Sequence, residues 1–238
     1  MFADESIQAI ICSQGGQTAN AALPFLDWGI IRDNPKIFLG MSDITVLLNA
    51  IYLKTGLITF HGHDLVWGLG RVPTSYDLGE FEGRLIQARI GNVATNGERR
   101  TVRGGTGEGL LLGGNLGCLL KLAGTPYFPD ARGAILFLEG TGLNPETCDF
   151  MFTQLQQMGV FNQVQGVIIG YIDGLDNHPE ITIKMEDVLL NVTSGYAFPI
   201  LKVNDFGHNC ANTILPVGVR VRLDADEPSI EILESCLE

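Results

Sequence analysis

Residues 36–56, KIFLGMSDITVLLNAIYLKTG, constrain the fold most, because a strand, a sharp turn and a helix follow one another within them. The first residues are apolar enough for a short buried strand, and the turn falls at residues 40–43. The next apolar residues have the spacing of one helix face, and they are Ile44, Leu47, Leu48, Ile51 and Tyr52. Gly56 stands where a helix C-cap glycine belongs. The segment therefore predicts a strand-turn-helix unit.

Ser42 lies in the turn of this unit. A serine between a buried strand and a helix exposes its hydroxyl next to the outward-pointing N–H groups of the helix start. This is the geometry of a nucleophilic serine. Serine is also a frequent helix N-cap, and the side chain of the following Asp43 could cap the helix as well. The segment alone leaves both interpretations open.

A glycine pair, Gly15-Gly16, follows the first predicted strand (residues 7–12) and precedes a predicted helix at 19–26. Glycines at such a position let backbone N–H groups approach a ligand closely. The loop could bind an anion or supply half of an oxyanion hole. It could equally be a plain strand-to-helix turn.

The order of elements predicts an α/β protein. A further strand at 57–60 makes the N-terminal part a parallel sheet covered by helices. Residues 68–108 are the least regular, and we expect a linker or lid at 71–108. From residue 109 onward, strands and helices alternate again and end in an antiparallel pair. We therefore predict three parts: an N-terminal domain (1–70) that carries the nucleophile turn, the lid, and a C-terminal α/β domain (109–238) with a mixed sheet.

Composition excludes several classes of function. The net charge is −12, which argues against binding to nucleic acid phosphates. The five cysteines are scattered and form no CxxC pair, so we expect neither disulfides nor a zinc site. We find no signal-peptide pattern and no apolar run of about 18 residues, and we expect a cytoplasmic protein without membrane contact.

Two other motifs contain residues that are common in metal or nucleotide sites, but neither has the residue spacing that identifies such a site. The segment His61-Gly62-His63-Asp64 lacks a third metal ligand, so we expect loop histidines that line a cleft and no bound metal. The segment GGTGEG (104–109) lacks the Lys-Ser/Thr of a phosphate loop, which disfavours a nucleotide-binding α/β protein.

Three residues could form a catalytic triad, in the chain order Ser42, Glu139, His208. A nucleophilic serine needs a base, and the base needs a third group that fixes its tautomer. Glu139 ends the apolar run AILFLE, where an unpaired buried carboxylate would be costly. Spacing alone does not choose the base, because His61, His63, His178 and His208 are all candidates. Glu139 could also be an ordinary exposed strand-end residue.

Five segments in order resemble the LD-carboxypeptidase family of serine peptidases, which includes muramoyl-tetrapeptide carboxypeptidases and microcin-C immunity peptidases. They are the GG loop with LPFLDW, GMSDITVLLNAIYLKTGLITFHG, LLLGGNLGCLLKLAGTPYFPD, GAILFLEG and GHNCANTILPVGVRVRLDAD. The resemblance covers nearly the whole chain. The segment GGQTANAALPFLD is more similar to the microcin-immunity branch than to the arginine- and tyrosine-flanked GG loop of cell-wall recycling members.

The resemblance implies a Ser42-Glu139-His208 triad and an oxyanion hole made by the backbone N–H of Asp43 with Gly15 or Gly16. Asn115 and His61 are assigned to substrate binding. The implied substrate is a murein tetrapeptide, cleaved before its terminal D-alanine, or a peptidyl or aminoacyl nucleotide.

The resemblance implies neither a metal nor an organic cofactor, and it implies a homodimer. Family members begin with a further strand and helices, so we expect that an N-terminal part is missing. A catalytically inactive, peptide-binding fragment of the same family is the alternative.

Overall fold

The computed structural model describes residues 1–237 and contains two β-sheets. The first sheet has the strand order β1-β2-β3-β10, with β1 at Ala9–Ile11, β2 at Ile37–Gly40, β3 at Thr59–His61 and β10 at Leu215–Val217. Strands β1, β2 and β3 are parallel, and β10 runs antiparallel to β3. The helical segments of this half are 3₁₀ turns at Ala19–Phe25 and Ser42–Ile44 and the helices α1 (Trp28–Asp33) and α2 (Thr45–Thr55).

The second sheet has eight strands in the order β4-β12-β11-β6-β7-β8-β9-β5. Their bounds are β4 Gly91–Asn92, β5 Arg100–Arg103, β6 Thr106–Asn115, β7 Ala134–Thr141, β8 Gly166–Asp173, β9 Ile200–Gly207, β11 Arg220–Asp224 and β12 Ser229–Ile232. The central strands β6 to β9 are parallel, and the flanking strands are antiparallel. Seven of the eight residues of β7 are buried, which explains its almost continuous apolar sequence.

The remaining helices are α3 (Ser75–Leu85), α4 (Leu116–Leu120), α5 (Pro145–Gln157) and α6 (Met185–Val192). Short turns of π-helix at Leu65–Leu69 and 3₁₀-helix at Val160–Asn162 complete the fold. Among residues 1–237, no helix is both long and apolar enough to cross a membrane.

The α/β class, with one largely parallel and one mixed sheet, is confirmed. The strand-turn-helix unit of residues 36–56 is present, and Gly56 ends α2 with a left-handed φ of +77°. The prediction that residues 71–108 are irregular is wrong, because α3, β4 and β5 lie there and both strands pair with the second sheet. The predicted boundary at residue 109 falls inside β6.

Helix α2 connects the two sheets at the end of β6. The Asn49 side chain exchanges two hydrogen bonds with the backbone of Gly113, at 2.8 and 3.2 Å. The backbone N–H of Asn115 donates to the hydroxyl of Thr45 at 2.9 Å. Gly114 must be glycine at this contact, because its φ is +127° and a Cβ would lie 2.5 Å from that hydroxyl oxygen. These bonds fix α2 against the end of β6 in the second sheet.

Candidate active site

Ser42 stands in a strained turn between β2 and α2. Its φ is +60°, a value that residues other than glycine rarely adopt and that often marks a functional site. The N-cap of the 3₁₀ turn is Met41 and that of α2 is Ile44, and neither end has a side-chain cap bond. The helix-cap interpretation of Ser42 is therefore wrong for this structure. The strain instead favours a nucleophile.

The glycine loop lies directly against this turn. A Cβ built on Gly15 would be 2.7 Å from the Cβ of Ser42 and 3.3 Å from the backbone nitrogen of Asp43. Only a glycine allows so close an approach at this position. The loop and the turn are therefore in direct contact at Gly15, Ser42 and the backbone nitrogen of Asp43.

The Asp43 side chain fastens the glycine loop to the turn. One carboxylate oxygen accepts from the backbone N–H of Ala19 at 2.8 Å, and the other accepts from Lys121 Nζ at 2.5 Å. Lys121 Nζ also donates to the carbonyl of Gln17 at 2.9 Å. The expectation that Asp43 caps α2 is wrong, because its carboxylate is used by these long-range contacts.

Glu139 and His208 form a buried pair at the ends of parallel strands. Glu139 lies on β7, and His208 directly follows β9. The His208 Nδ1 lies 2.5 Å from Glu139 Oε2. Glu139 is completely buried, whereas the His208 side chain is about one-fifth exposed. The imidazole thus reaches the cavity, and the carboxylate supports it from the protein interior.

This pairing sets the charge states of both groups. Burial alone would raise the pKa of Glu139, but the hydrogen bond from His208 and the proximity of His61 outweigh it and lower the pKa. Burial likewise opposes protonation of His208, yet the bond to Glu139 and its negative charge raise the pKa of His208 above its usual value. The pair is therefore suited to an ionised carboxylate beside a basic imidazole.

A cavity of about 710 Å³ opens over these groups and is lined by Gly15, Gly16, Ser42 and His208. The Ser42 hydroxyl forms no hydrogen bond with His208 in the part of the chain that the structure describes. Catalytic hydrogen bonds in unliganded enzymes are often long and tighten only when substrate binds. The shared cavity, rather than a preformed bond, brings the two residues together.

Two residues assigned to substrate binding lie behind the cavity. His61 is completely buried on β3 and is not among the residues that line the cavity. Asn115 is also buried, and its side chain accepts from the N–H of Cys118 as the N-cap of α4. The expectation that His61 lines a cleft is wrong, because its ring is covered by Phe137 and Phe206 of the second sheet. Its Nε2 instead lies 3.9 Å from Glu139 Oε1.

Sequence reasoning missed three residues of the cavity wall, namely Trp67, Arg71 and Asp77, whereas His63, which was expected to line a cleft, does line the cavity. His63 lies 3.1 Å from the carboxylate of Asp77 on α3, which also accepts from the backbone N–H of Asn212 at 2.6 Å. Burial is the main cause that lowers the pKa of His63. Arg71 stacks over the ring of Trp67, 4.4 Å from its centroid, at the exposed side of the wall. The sequence signal for Asp77 was its capping box with Thr74.

The HxHD segment does not form a metal site. Its Asp64 accepts from the backbone N–H of Trp67 and starts the π-helix turn. Within residues 1–237, no group of three or more His, Cys, Asp or Glu side chains is arranged to hold a metal ion.

Comparisons with known proteins identify the family of the chain. The family model of the LD-carboxypeptidase N-terminal domain matches residues 1–62, and that of the LD-carboxypeptidase C-terminal domain matches residues 108–223. The microcin C7 self-immunity protein MccF of Escherichia coli is 32% identical over 260 aligned residues, which cover 97% of this chain and 75% of MccF. The probable murein peptide carboxypeptidase of Bacillus subtilis (strain 168) is 29% identical, with 98% and 73% covered.

Solved structures show the same similarity. The structure of MccF in complex with glutamyl sulfamoyl guanosine superposes with a TM-score of 0.91 at 31% identity, and the match covers all of this chain and 79% of that one. An MccF-like protein from Bacillus anthracis str. Ames gives 0.85 at 30% identity, with 98% and 78% covered. The chain belongs to the LD-carboxypeptidase family and is a serine-type carboxypeptidase.

Proposed function

We propose that the chain hydrolyses an amide bond with Ser42 as nucleophile, His208 as general base and Glu139 as the carboxylate that orients the base. One observation carries the proposal. A completely buried carboxylate is bonded to Nδ1 of an imidazole that faces the same cavity as the strained Ser42. Nucleophile, base and orienting group are the three parts that acyl transfer by serine requires.

The contact at Nδ1 sets the direction of proton transfer. Because Nδ1–H donates to Glu139, the Nε2 lone pair of His208 is free to accept the Ser42 proton during attack on the carbonyl carbon. The resulting imidazolium then donates this proton to the nitrogen of the leaving amine. Water, activated by the same Nε2, hydrolyses the acyl-enzyme and regenerates Ser42.

The oxyanion hole is proposed at the junction of the turn and the glycine loop. The backbone N–H of Asp43 follows the nucleophile, and Gly15 or Gly16 supplies the second donor. Support comes from the close approach of Gly15 to Ser42 and to the Asp43 nitrogen. Each such donor contributes on the order of 3 kcal/mol to transition-state stabilisation.

The proposed substrates belong to two classes. The similar proteins include a murein tetrapeptide carboxypeptidase of Pseudomonas aeruginosa at 28% identity and MccF, whose structures hold glutamyl sulfamoyl guanosine or aspartyl sulfamoyl adenosine. We propose that this chain cleaves a murein tetrapeptide before D-alanine, as in peptidoglycan recycling, or the carboxamide of an aminoacyl nucleotide. The GGQTAN loop favours the second. We further propose that the protein is cytoplasmic and forms a homodimer; light scattering of the purified protein would test the dimer, and cell fractionation its location.

The experiment compares Ser42→Ala with wild type on both substrate classes, with Ser194→Ala as the control. Ser194 is an exposed serine outside the cavity. We expect Ser42→Ala to lose turnover and labelling by a serine-directed phosphonate, and Ser194→Ala to keep both. Unchanged hydrolysis by Ser42→Ala would remove the triad assignment. Binding without turnover or labelling in the wild type would instead identify an inactive peptide-binding protein.

A further inference from the structure

A group of buried polar atoms next to the proposed triad lacks hydrogen-bond partners. It comprises both ring nitrogens of His61 and Oε1 of Glu139. Both side chains have zero exposure, and the His61 Nε2 lies 3.9 Å from this oxygen. Buried polar atoms in native proteins are almost always paired. Two unpaired atoms that face each other indicate an interaction between them.

The ring of His61 is held in place by the strands that carry the triad. It packs edge-on against Phe137, with centroids 5.2 Å apart, and against Phe206, at 6.2 Å. Phe137 precedes Glu139 by two residues on β7, and Phe206 precedes His208 by two residues. His61 also pairs in register with Gly40 at the end of β2, just before the nucleophile turn. The imidazole therefore lies between all three elements of the site.

We infer that His61 is a positioning residue whose Nε2–H donates to Glu139 Oε1. A movement of about 1 Å brings the two atoms to hydrogen-bond distance. With His208 on Oε2 and His61 on Oε1, neither oxygen can rotate away, so the carboxylate keeps His208 in the tautomer that leaves Nε2 basic. The inference rests on the proposed function, because it gives His61 a role through Glu139.

The first test is a measurement on the wild-type chain. Nitrogen-15 NMR of histidine-labelled protein distinguishes an Nε2–H from an Nδ1–H imidazole, and the loss of a signal in His61→Gln assigns His61. We expect the Nε2–H tautomer. An Nδ1–H tautomer would overturn the inference, because the Nε2 lone pair would then face a carboxylate oxygen.

The second test compares two variants by their kinetics. His61→Phe keeps an aromatic ring against Phe137 and Phe206 but has no donor, whereas His61→Gln retains an N–H near the position of Nε2. We expect kcat of His61→Phe to fall about ten- to hundredfold, as for the loss of a hydrogen bond to a charged group. KM should stay within about twofold, because His61 does not line the cavity. His61→Gln should recover most of the loss.

The control is His178→Gln, which changes a solvent-exposed histidine beside Glu180 and should alter nothing. Equal losses in His61→Phe and His61→Gln, or wild-type kcat in His61→Phe, would overturn the inference. If wild-type protein shows neither turnover nor phosphonate labelling, the proposed function fails instead. The NMR measurement then still decides the state of His61.

Discussion

Glu139→Gln separates the chemical role of the buried carboxylate from its role in the fold. Glutamine has nearly the same shape, so it fills the same space on β7 between its buried neighbours. It cannot carry a charge, and its amide NH₂ can face His208 as readily as its oxygen can. When the NH₂ group faces Nδ1, His208 must place its proton on Nε2, and it can no longer accept the Ser42 proton.

Glu139→Gln should lower the folding stability only slightly and the catalytic rate strongly. In the resting protein, the 2.5 Å bond between His208 and Glu139 changes from a charge-assisted bond to a neutral one. This costs about 1 kcal/mol, the difference between typical values for the two kinds of bond. During the reaction His208 becomes a positively charged imidazolium, and in the variant the negative charge of Glu139 that would stabilise it is missing. The corresponding change in a serine protease triad lowers kcat about 10⁴-fold, which is about 5 kcal/mol. We expect a loss of 10³- to 10⁴-fold here.

The assay measures the second-order rate of labelling by a serine-directed phosphonate, which needs no knowledge of the substrate, together with thermal unfolding. Glu186→Gln is the matched control. Glu186 on α6 is also buried, but it pairs with Arg100 on β5, away from the cavity. We expect Glu186→Gln to lower the melting temperature without changing the labelling rate. Glu139→Gln should do the reverse, with a large loss of labelling and a small change in stability.

The refuting result is a Glu139→Gln protein that labels within tenfold of wild type. The carboxylate would then be only a structural partner of His208, and the assignment of His208 as the base would lose its main support. His63 would be the next candidate, since it lines the same cavity and contacts a carboxylate of its own.

Two further predictions concern the oxyanion site and pH. Gly15→Ala would place a methyl group 2.7 Å from the Ser42 Cβ, so we expect labelling to fall at least about tenfold. Gly16→Ala is the comparison, since its Cβ meets only Asp43 Oδ2 at 3.5 Å, and equal losses would contradict the proposed geometry. The raised pKa of His208 means that the base is protonated at low pH, so kcat/KM should rise with pH with a midpoint above the usual histidine value of about 6.5. In Glu139→Gln the midpoint should move to lower pH, and an unchanged midpoint would exclude His208 as the titrating base.

Local patterns made much of the fold predictable. Helix α5 begins at Pro145 and α2 ends at Gly56, where the sequence carries ordinary start and stop signals. Strand β7 is an apolar run because both of its faces are buried. The α/β class follows from the alternation of such elements and does not depend on the distant contacts between them.

Helix α3 was not predictable in this way, because its stability comes from distant partners. Its sequence SYDLGEFEGRL contains two glycines and no continuous apolar face. Buried Glu80 accepts from the hydroxyl of Thr213, and Asp77 accepts from Asn212, both far along the chain. From its sequence alone, a helix with so many polar residues is predicted to be solvent-exposed, because the distant partners of its buried acids are not known.

In the candidate site too, local features could be predicted from the sequence, whereas contacts between distant residues could not. The turn at Ser42 and the carboxylate at the end of an apolar run were visible as local features. The choice of His208 among four histidines came from family resemblance, and its contact with Glu139 joins residues on β7 and beyond β9. The burial of His61 was not visible, because a histidine at a strand end is usually exposed, and Phe137 and Phe206, whose rings pack against it, come much later in the chain.

That late strand has a consequence for biosynthesis. The fourth strand of the N-terminal sheet, β10, pairs Leu215 with His61 across most of the chain. A nascent chain on the ribosome therefore holds an incomplete first sheet, with an open edge at β3, until β10 has been translated. Such non-local pairing is slow to form. We expect the first sheet to be completed only after β10 has been made, and the turn at Ser42 to reach its final structure no earlier than the segment that carries His208.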